Sequence, residues 1–233
     1  MTTEMVWGTI QGREITFPME VPDFNAATLL FTVPLDAAQA LLPGDDFEVL
    51  EIAPGKAQFV VAACDYVDNP WGDYREINLG FLARPTGGRG EDGSFIYRMP
   101  VDQAFTCQAG NEVMGFPKTV EVIDCAYSDD IVSFALTFGG ELALTLRLPR
   151  AAAMGEPGRV EAVSYSYLDG KPYGTVLGMD MGTGFVDAAD VEIELGTGVV
   201  ADELRSLGLP CAPDMCAWGE GLSATFFLGQ PVV

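Results

Sequence analysis

Short stretches rich in Val, Ile, Phe, Tyr and Leu recur along this chain, each closed by a cluster of Gly, Pro, Asn or Asp. That rhythm leaves little room for anything but sheet. Ala27–Val33, Gln58–Ala63, Glu76–Ala83, Phe95–Val101, Thr119–Cys125, Ile131–Phe138, Glu141–Leu148, Ala162–Leu168 and Asp190–Leu195 read as strands. Between them lie turn formers such as Pro54-Gly55, Asn69-Pro70, Gly139-Gly140 and Asp169-Gly170. The clearest hairpin is Phe134 to Leu146, two strand-like runs around a Gly-Gly pair. The expected fold is mainly β within the α+β class, an antiparallel sheet curled into a barrel or sandwich. Helices are few and short. Pro34–Pro43 is bounded by prolines that suit a first turn and a stop, and Ala201–Gly208 closes on a glycine. Nothing resembling a long linker interrupts 1–233, which reads as a single domain.

Composition narrows the function. With 48% hydrophobic residues in 233, the chain has ample material for a core. Its formal charge of -22 repels phosphate backbones and anionic lipid surfaces, so nucleic acid and membrane partners are disfavoured. A small anionic substrate would likewise need a local cation in its pocket. No apolar run approaches the ~20 residues of a membrane span, and the start Met1-Thr-Thr-Glu4 lacks the pattern of a signal peptide, so a cytoplasmic location is expected. Cys64, Cys107, Cys125, Cys211 and Cys216 show no paired spacing and read as reduced thiols. The chain contains no histidine. A Ser-His-Asp triad, a Cys-His pair and a His-ligated zinc are thereby excluded, and catalysis must rest on Lys, Glu, Asp, Tyr, Arg or Cys. No metal or cofactor is expected. Asp180 and Asp187, in a Gly-rich segment, fit neither an EF-hand nor a phosphate loop.

Gly110-Asn-Glu-Val-Met-Gly-Phe-Pro-Lys118-Thr119 sets one of only three lysines among apolar neighbours. Burial disfavours a charged ammonium, so a lysine in an apolar pocket offers a neutral amine as a nucleophile toward carbonyl carbon. The same residues also suit a turn with a solvated lysine at its tip. Glu76, where the loop Trp71–Arg75 gives way to an apolar strand, is a candidate proton donor and acceptor beside Lys118; the alternative is a solvated strand-end carboxylate. Arg75 and Arg98 could each supply the cation an anionic substrate requires. Strand alternation puts Phe95, Tyr97 and Met99 on one face of their strand and Ile96 and Arg98 on the other, with the inward face undetermined. Trp71, Tyr74, Phe81, Tyr97, Phe105, Met114 and Phe116 could line an apolar pocket or serve as core.

The arrangement Gly110-x-Glu112-x-x-Gly115-Phe116-Pro117-Lys118, preceded by Tyr74-x-Glu76 and by a helix closing on Leu41-Leu42-Pro43, resembles the acetoacetate decarboxylase superfamily over about the middle half of the chain. The resemblance implies a cone-shaped β-barrel assembled into homo-oligomers, with Lys118 forming a Schiff base with an oxo acid. It makes Glu76 the active-site carboxylate and gives Glu112 a bracing role in a substrate site with Arg98, Tyr74, Met114 and Phe116. The chain departs from the decarboxylases in having Thr119 where they carry a second lysine. Their second active-site glutamate falls near Val60 or Val61, and their substrate-associated arginine near Phe24 or Asn25. The implied activity on a 2-oxo or 3-oxo acid is either decarboxylation or aldol or dehydration-type chemistry through an imine and enamine. The alternative is a noncatalytic barrel that binds a small molecule, with Lys118 paired to Glu112 or Glu76.

Overall fold

The computed structural model describes residues 4–88, 90–151, 156 and 158–232; the start of the chain at residues 1–3, on which the reading of the N-terminus partly rests, lies outside them. The first elements are the hairpin β1 (Met5–Ile10) and β2 (Arg13–Phe17), the long strand β3 (Met19–Pro34), helix α1 (Leu35–Gln39) and the short strands β4 (Phe47–Val49) and β5 (Glu51–Ala53). Next come β6 (Lys56–Asp68), β7 (Tyr74–Pro85), β8 (Gly93–Val101), helix α2 (Ala104–Met114) and β9 (Lys118–Val120). The strands β10 (Val122–Tyr127), β11 (Ile131–Phe138) and β12 (Glu141–Pro149) precede β13 (Gly158–Leu168), β14 (Lys171–Met181), β15 (Thr183–Val186) and β16 (Glu192–Leu195). Helix α3 (Val199–Ser206), β17 (Met215–Phe226) and β18 (Gln230–Pro231) complete the chain.

Seven strands close a barrel in the order β17-β3-β6-β7-β8-β13-β14, with β14 pairing back onto β17. Closure removes the exposed sheet edges that a flat arrangement of these strands would leave. Most pairs are antiparallel, but β8 pairs in parallel with both β13 and β9. The two parallel contacts use opposite ends of β8: Ser94 and Phe95 meet β13, whereas Met99 to Val101 meet β9. The β9 strand therefore occupies the seam that β13 leaves, and this sets Lys118 opposite Met99.

A second antiparallel sheet, β10-β11-β12-β16, covers part of the barrel wall together with α3. The central barrel strands are thus buried on both faces, which explains their nearly continuous apolar sequence. Ile77, Leu79 and Phe81 of β7 join Phe59 of β6, Phe134 of β11 and Leu204 of α3 in a core between wall and second sheet. Phe24, Tyr66, Tyr74, Ile96, Met99, Met114, Phe116 and Leu222 fill the barrel interior instead. Among the described residues, no helix is long and apolar enough to cross a membrane.

The largest departure from the sequence reading is α2. The segment read as a turn around Lys118 is preceded by a helix of 11 residues. Its start is capped by the Gln103 side chain, which accepts from Thr106 N–H at 2.8 Å, and its end by Gly115 in the left-handed region at φ 65°. The expected strand Thr119–Cys125 is also broken, into β9 and β10, with Glu121 between them.

Candidate active site

The polar centre of the barrel is built from alternation on one strand. Residues 74, 76 and 78 of β7 share a face, so Tyr74, Glu76 and Asn78 all turn to the interior while Ile77 and Leu79 turn to the outer core. Lys118, the first residue of β9, reaches Glu76 from across the seam: Nζ lies 2.7 Å from Oε2, with both side chains at about 5% exposure or less. The other carboxylate oxygen, Oε1, accepts from Asn78 Nδ2 at 3.1 Å and, at a longer 3.4 Å, from Tyr66 OH. Thr106 Oγ1 of α2 lies 3.5 Å from Lys118 Nζ, and the ammonium sits 5.0 Å from the centre of the Tyr74 ring. A buried pair of this kind is tolerable because the carboxylate's lone pairs are met by further donors.

Two tyrosines complete the cluster. The rings of Tyr66 and Tyr74 stack at 4.4 Å. Burial, and next the negative charge of Glu76, push both phenols well above their usual range. Both therefore remain protonated at any ordinary pH, and Tyr66 donates to Glu76. The Cys64 thiol beside them is pushed up by the same two causes and stays protonated.

Helix α2 fixes the lysine's backbone. Asn111 Oδ1 accepts from Lys118 N–H at 2.9 Å, and its Nδ2 donates to the Lys118 carbonyl at 3.1 Å, so a single amide holds both backbone groups of Lys118. Ser166 Oγ of β13 donates to the Met114 carbonyl at 2.7 Å and pins the far end of the helix to the barrel. Gly110 makes the approach possible: a Cβ there would lie 2.6 Å from Lys118 Cδ and 2.7 Å from Cε.

The cavity above this cluster measures about 120 Å³. Tyr74, Met114 and Phe116 line it with Trp71, Lys118 and Glu76. Arg98 and Glu112 do not, and the substrate-binding role expected of them from sequence is corrected on position. Register slips between Leu79 and Gly80, leaving Tyr97 as an extra residue on β8. Ile96 and Met99 consequently both face the interior, while Arg98 turns outward to α3 and pairs with Glu203 at 2.5 and 2.6 Å. Glu112 is exposed on α2, where it accepts from Gln108 Nε2 at 2.8 Å. Arg75, the other candidate cation, pairs with Asp102 at 3.0 Å outside the cavity. Phe81 and Tyr97 stack in the outer region rather than in the pocket, and Phe105 packs beside Trp71 and under Arg13.

Other sequence positions find structural roles. Val61 belongs to the outer core, Phe24 lines the cavity, and Asn25 donates to Tyr127 OH at 3.2 Å. Asp180 lies 3.4 Å from Arg159, and Asp187 accepts from Ala189 N–H at 3.0 Å. Sequence reasoning missed Tyr66, Asn78, Thr106 and Asn111. Asn78 carried a usable signal, the period of two from Tyr74 through Glu76; Tyr66 and Thr106 reach the site only through tertiary contact.

The acetoacetate decarboxylase (ADC) family matches residues 9–175 of the chain. Among solved structures, the acetoacetate decarboxylase of Legionella pneumophila aligns with a TM-score of 0.69 at 18% identity, over 93% of this chain and 87% of that one. The enduracididine biosynthesis enzyme MppR, in complex with pyruvate, aligns with a TM-score of 0.59 at 16% identity, over 93% and 91% of the two chains. An acetoacetate decarboxylase-like enzyme from Sphingomonas wittichii RW1 gives 0.57 at 15% identity, over 90% and 91%. No curated protein sequence matches.

Proposed function

As the chain belongs to the acetoacetate decarboxylase family, we propose that Lys118 forms a Schiff base with the ketone of a 2-oxo or 3-oxo acid and that Glu76 manages the protons of that chemistry. The observation that carries this reading is the Lys118–Glu76 pair, 2.7 Å apart and buried at the base of an apolar cavity. Glu76 accepts a proton from the Lys118 ammonium, and the neutral amine adds to the ketone carbon. Loss of water from the carbinolamine then leaves a cationic iminium beside the Glu76 carboxylate. In a 3-oxo acid, the bond between the α-carbon and the carboxylate breaks. Its electron pair moves into the iminium to give an enamine, and CO2 departs. Protonation of the enamine carbon and addition of water return the ketone product and the free lysine. In the other branch a proton leaves the carbon next to the imine, and the enamine serves aldol or dehydration chemistry.

The surroundings favour the decarboxylation branch. Retaining a substrate carboxylate through aldol chemistry requires a firm cationic partner, and no arginine is among the described residues that line the cavity. Tyr66 and Tyr74, protonated and close to Glu76, are placed to donate hydrogen bonds as charge moves through the imine.

A second reading has its own observation. The same 2.7 Å pair is what a noncatalytic member would use to neutralise a buried lysine while the barrel bound an uncharged molecule. Borohydride reduction in the presence of acetoacetate, pyruvate and longer oxo acids separates the two. An adduct on Lys118 that requires the oxo acid and disappears in Lys118→Ala supports the enzyme; the absence of any adduct across a broad panel leaves the binding barrel.

A further inference from the structure

We infer that the oxo acid enters through an outer cavity at the β1–β2 hairpin, where Arg13 receives its carboxylate on the way to Lys118. This inference rests on the Schiff-base reading above and adds the site that admits the acid. An anion approaching a protein of charge -22 gains from a local cation. Among the described residues that line the inner cavity, Lys118 is the only cation, and it is already paired with Glu76. Two outer cavities adjoin the inner one. The first, of about 300 Å³, shares Ile96 and Phe116 with it and has no charged side chain among its described lining residues. The second, of about 470 Å³, shares Met19 and Trp71 with it and carries Arg13. An anion is therefore drawn to the second, where Met19 and Trp71 form the partition it must pass.

Arg13 opens β2, and its guanidinium is held from two sides. Its central carbon lies 4.6 Å from the centre of the Phe105 ring of α2, and Nη1 donates to the Pro70 carbonyl, beside Trp71, at 3.3 Å. Each of the other described arginines is paired with a carboxylate at 3.8 Å or less, whereas Arg13 has no such partner among the described residues. Glu4, Glu14 and Glu20 line the same outer cavity without pairing with it, and Glu20 accepts from Thr225 Oγ1 at 2.8 Å instead. A guanidinium fixed in plane, with donors to spare, matches the fork of a carboxylate. The glutamates repel an anion elsewhere in the cavity, so attraction is confined to Arg13. Because the acid keeps its carboxylate until the carbon–carbon bond breaks, this positive charge favours it at every step up to that one.

The test measures the rate of borohydride labelling at Lys118, at low probe concentration, with the anion 3-oxobutanoate and the uncharged 2,4-pentanedione. At about 0.01 M salt we expect Arg13→Gln to slow labelling by the acid about tenfold and to leave the diketone within about twofold. Arg13→Lys, which keeps the charge and loses the fork, should recover part of the loss. Glu14→Gln removes a neighbouring negative charge and should speed labelling by the acid. At about 1 M salt the difference between Arg13→Gln and the unaltered protein should nearly vanish. Equal slowing of both probes would assign Arg13 to holding the hairpin in place and overturn the inference. Labelling by the acid that Arg13→Gln leaves unchanged would overturn it as well. In both cases labelling of Lys118 keeps the Schiff-base reading intact, whereas failure of both probes to label Lys118 in the unaltered protein overturns both.

Discussion

Gly110 carries no reactive group, yet the position of Lys118 depends on it. With a Cβ 2.6 Å from Lys118 Cδ, Gly110→Ala forces the lysine stem aside, and the 2.7 Å contact with Glu76 cannot persist. Because α2 tolerates alanine well, the fold should survive. We expect imine trapping to fall at least about tenfold, roughly one step of 1.4 kcal/mol in the transition state, together with a fall in Tm because a buried ion pair is broken. Trapping at the wild-type level would show that the lysine stem accommodates the added methyl. Asn111 acts on the same lysine through its backbone. Asn111→Ala removes both hydrogen bonds to Lys118, and we expect trapping to weaken while Asn111→Asp, which can accept but not donate, recovers only part of it. The sequence displayed both residues beside the lysine. What it could not display was that Asn111 lies one helix end away from a strand whose first residue it clamps.

At the scale of elements, α2 joins the chemistry to the barrel. Its sequence, Ala104 to Met114, contains a glycine and several weak helix formers, which is why the sequence pattern pointed to no helix there. Tertiary contacts supply what propensity lacks. Gln103 caps the start, Val113 and Met114 pack in the barrel interior, and Ser166 anchors the end. Gly115 is needed twice over: its φ of 65° suits glycine, and a Cβ would strike the Tyr167 carbonyl of β13. Gly115→Ala should therefore destabilise the protein by more than about 1 kcal/mol, read as a fall in Tm of about 2–4 °C or more in a chain of this size. No change in Tm would show that β13 yields freely. The bulge on β8 is the complementary lesson. Simple alternation assigns Ile96 and Arg98 to one face, but one extra residue sends Arg98 to Glu203 and keeps Ile96 and Met99 inside.

At the scale of the whole molecule, a half-buried thiol in the second sheet and a buried one in the barrel wall, Cys125 on β10 and Cys216 on β17, set the response to alkaline pH. Burial pushes the thiols of Cys125 and Cys216 from 9.0 up to about 11 in the folded protein. A thiol whose folded value is raised contributes stability that is complete below its unfolded value and is lost as pH rises toward the folded one, because the unfolded chain releases its proton first. Stability should accordingly decline between about pH 9 and pH 11. Cys216→Ala should make that decline shallower, and an unaltered slope in the variant would exclude this thiol as a source. At the acid end, Arg150, and then Trp218, hold the Glu220 carboxyl below its usual range. Its small contribution to stability is present above the unfolded value and fades as pH falls through the folded one; solvent screening keeps it minor.

The sequence by itself determined the mainly β character, since apolar runs punctuated by Gly, Pro, Asn and Asp admit few other solutions, and the hairpin β11–β12 lies where its Gly139-Gly140 turn requires. Local pattern also brought Lys118 and Glu76 forward, because a rare lysine in an apolar segment and a carboxylate at a strand entrance are visible without coordinates. Tertiary structure alone decided which strand faces turn inward, that α2 is a helix, that Tyr66, Asn78 and Thr106 join the lysine, and that Arg98 and Glu112 stand apart. The physical reason is that alternation fixes only relative faces along one strand. Absolute direction is set by register, by a single bulged residue and by what packs against each side, and those depend on segments tens of residues away.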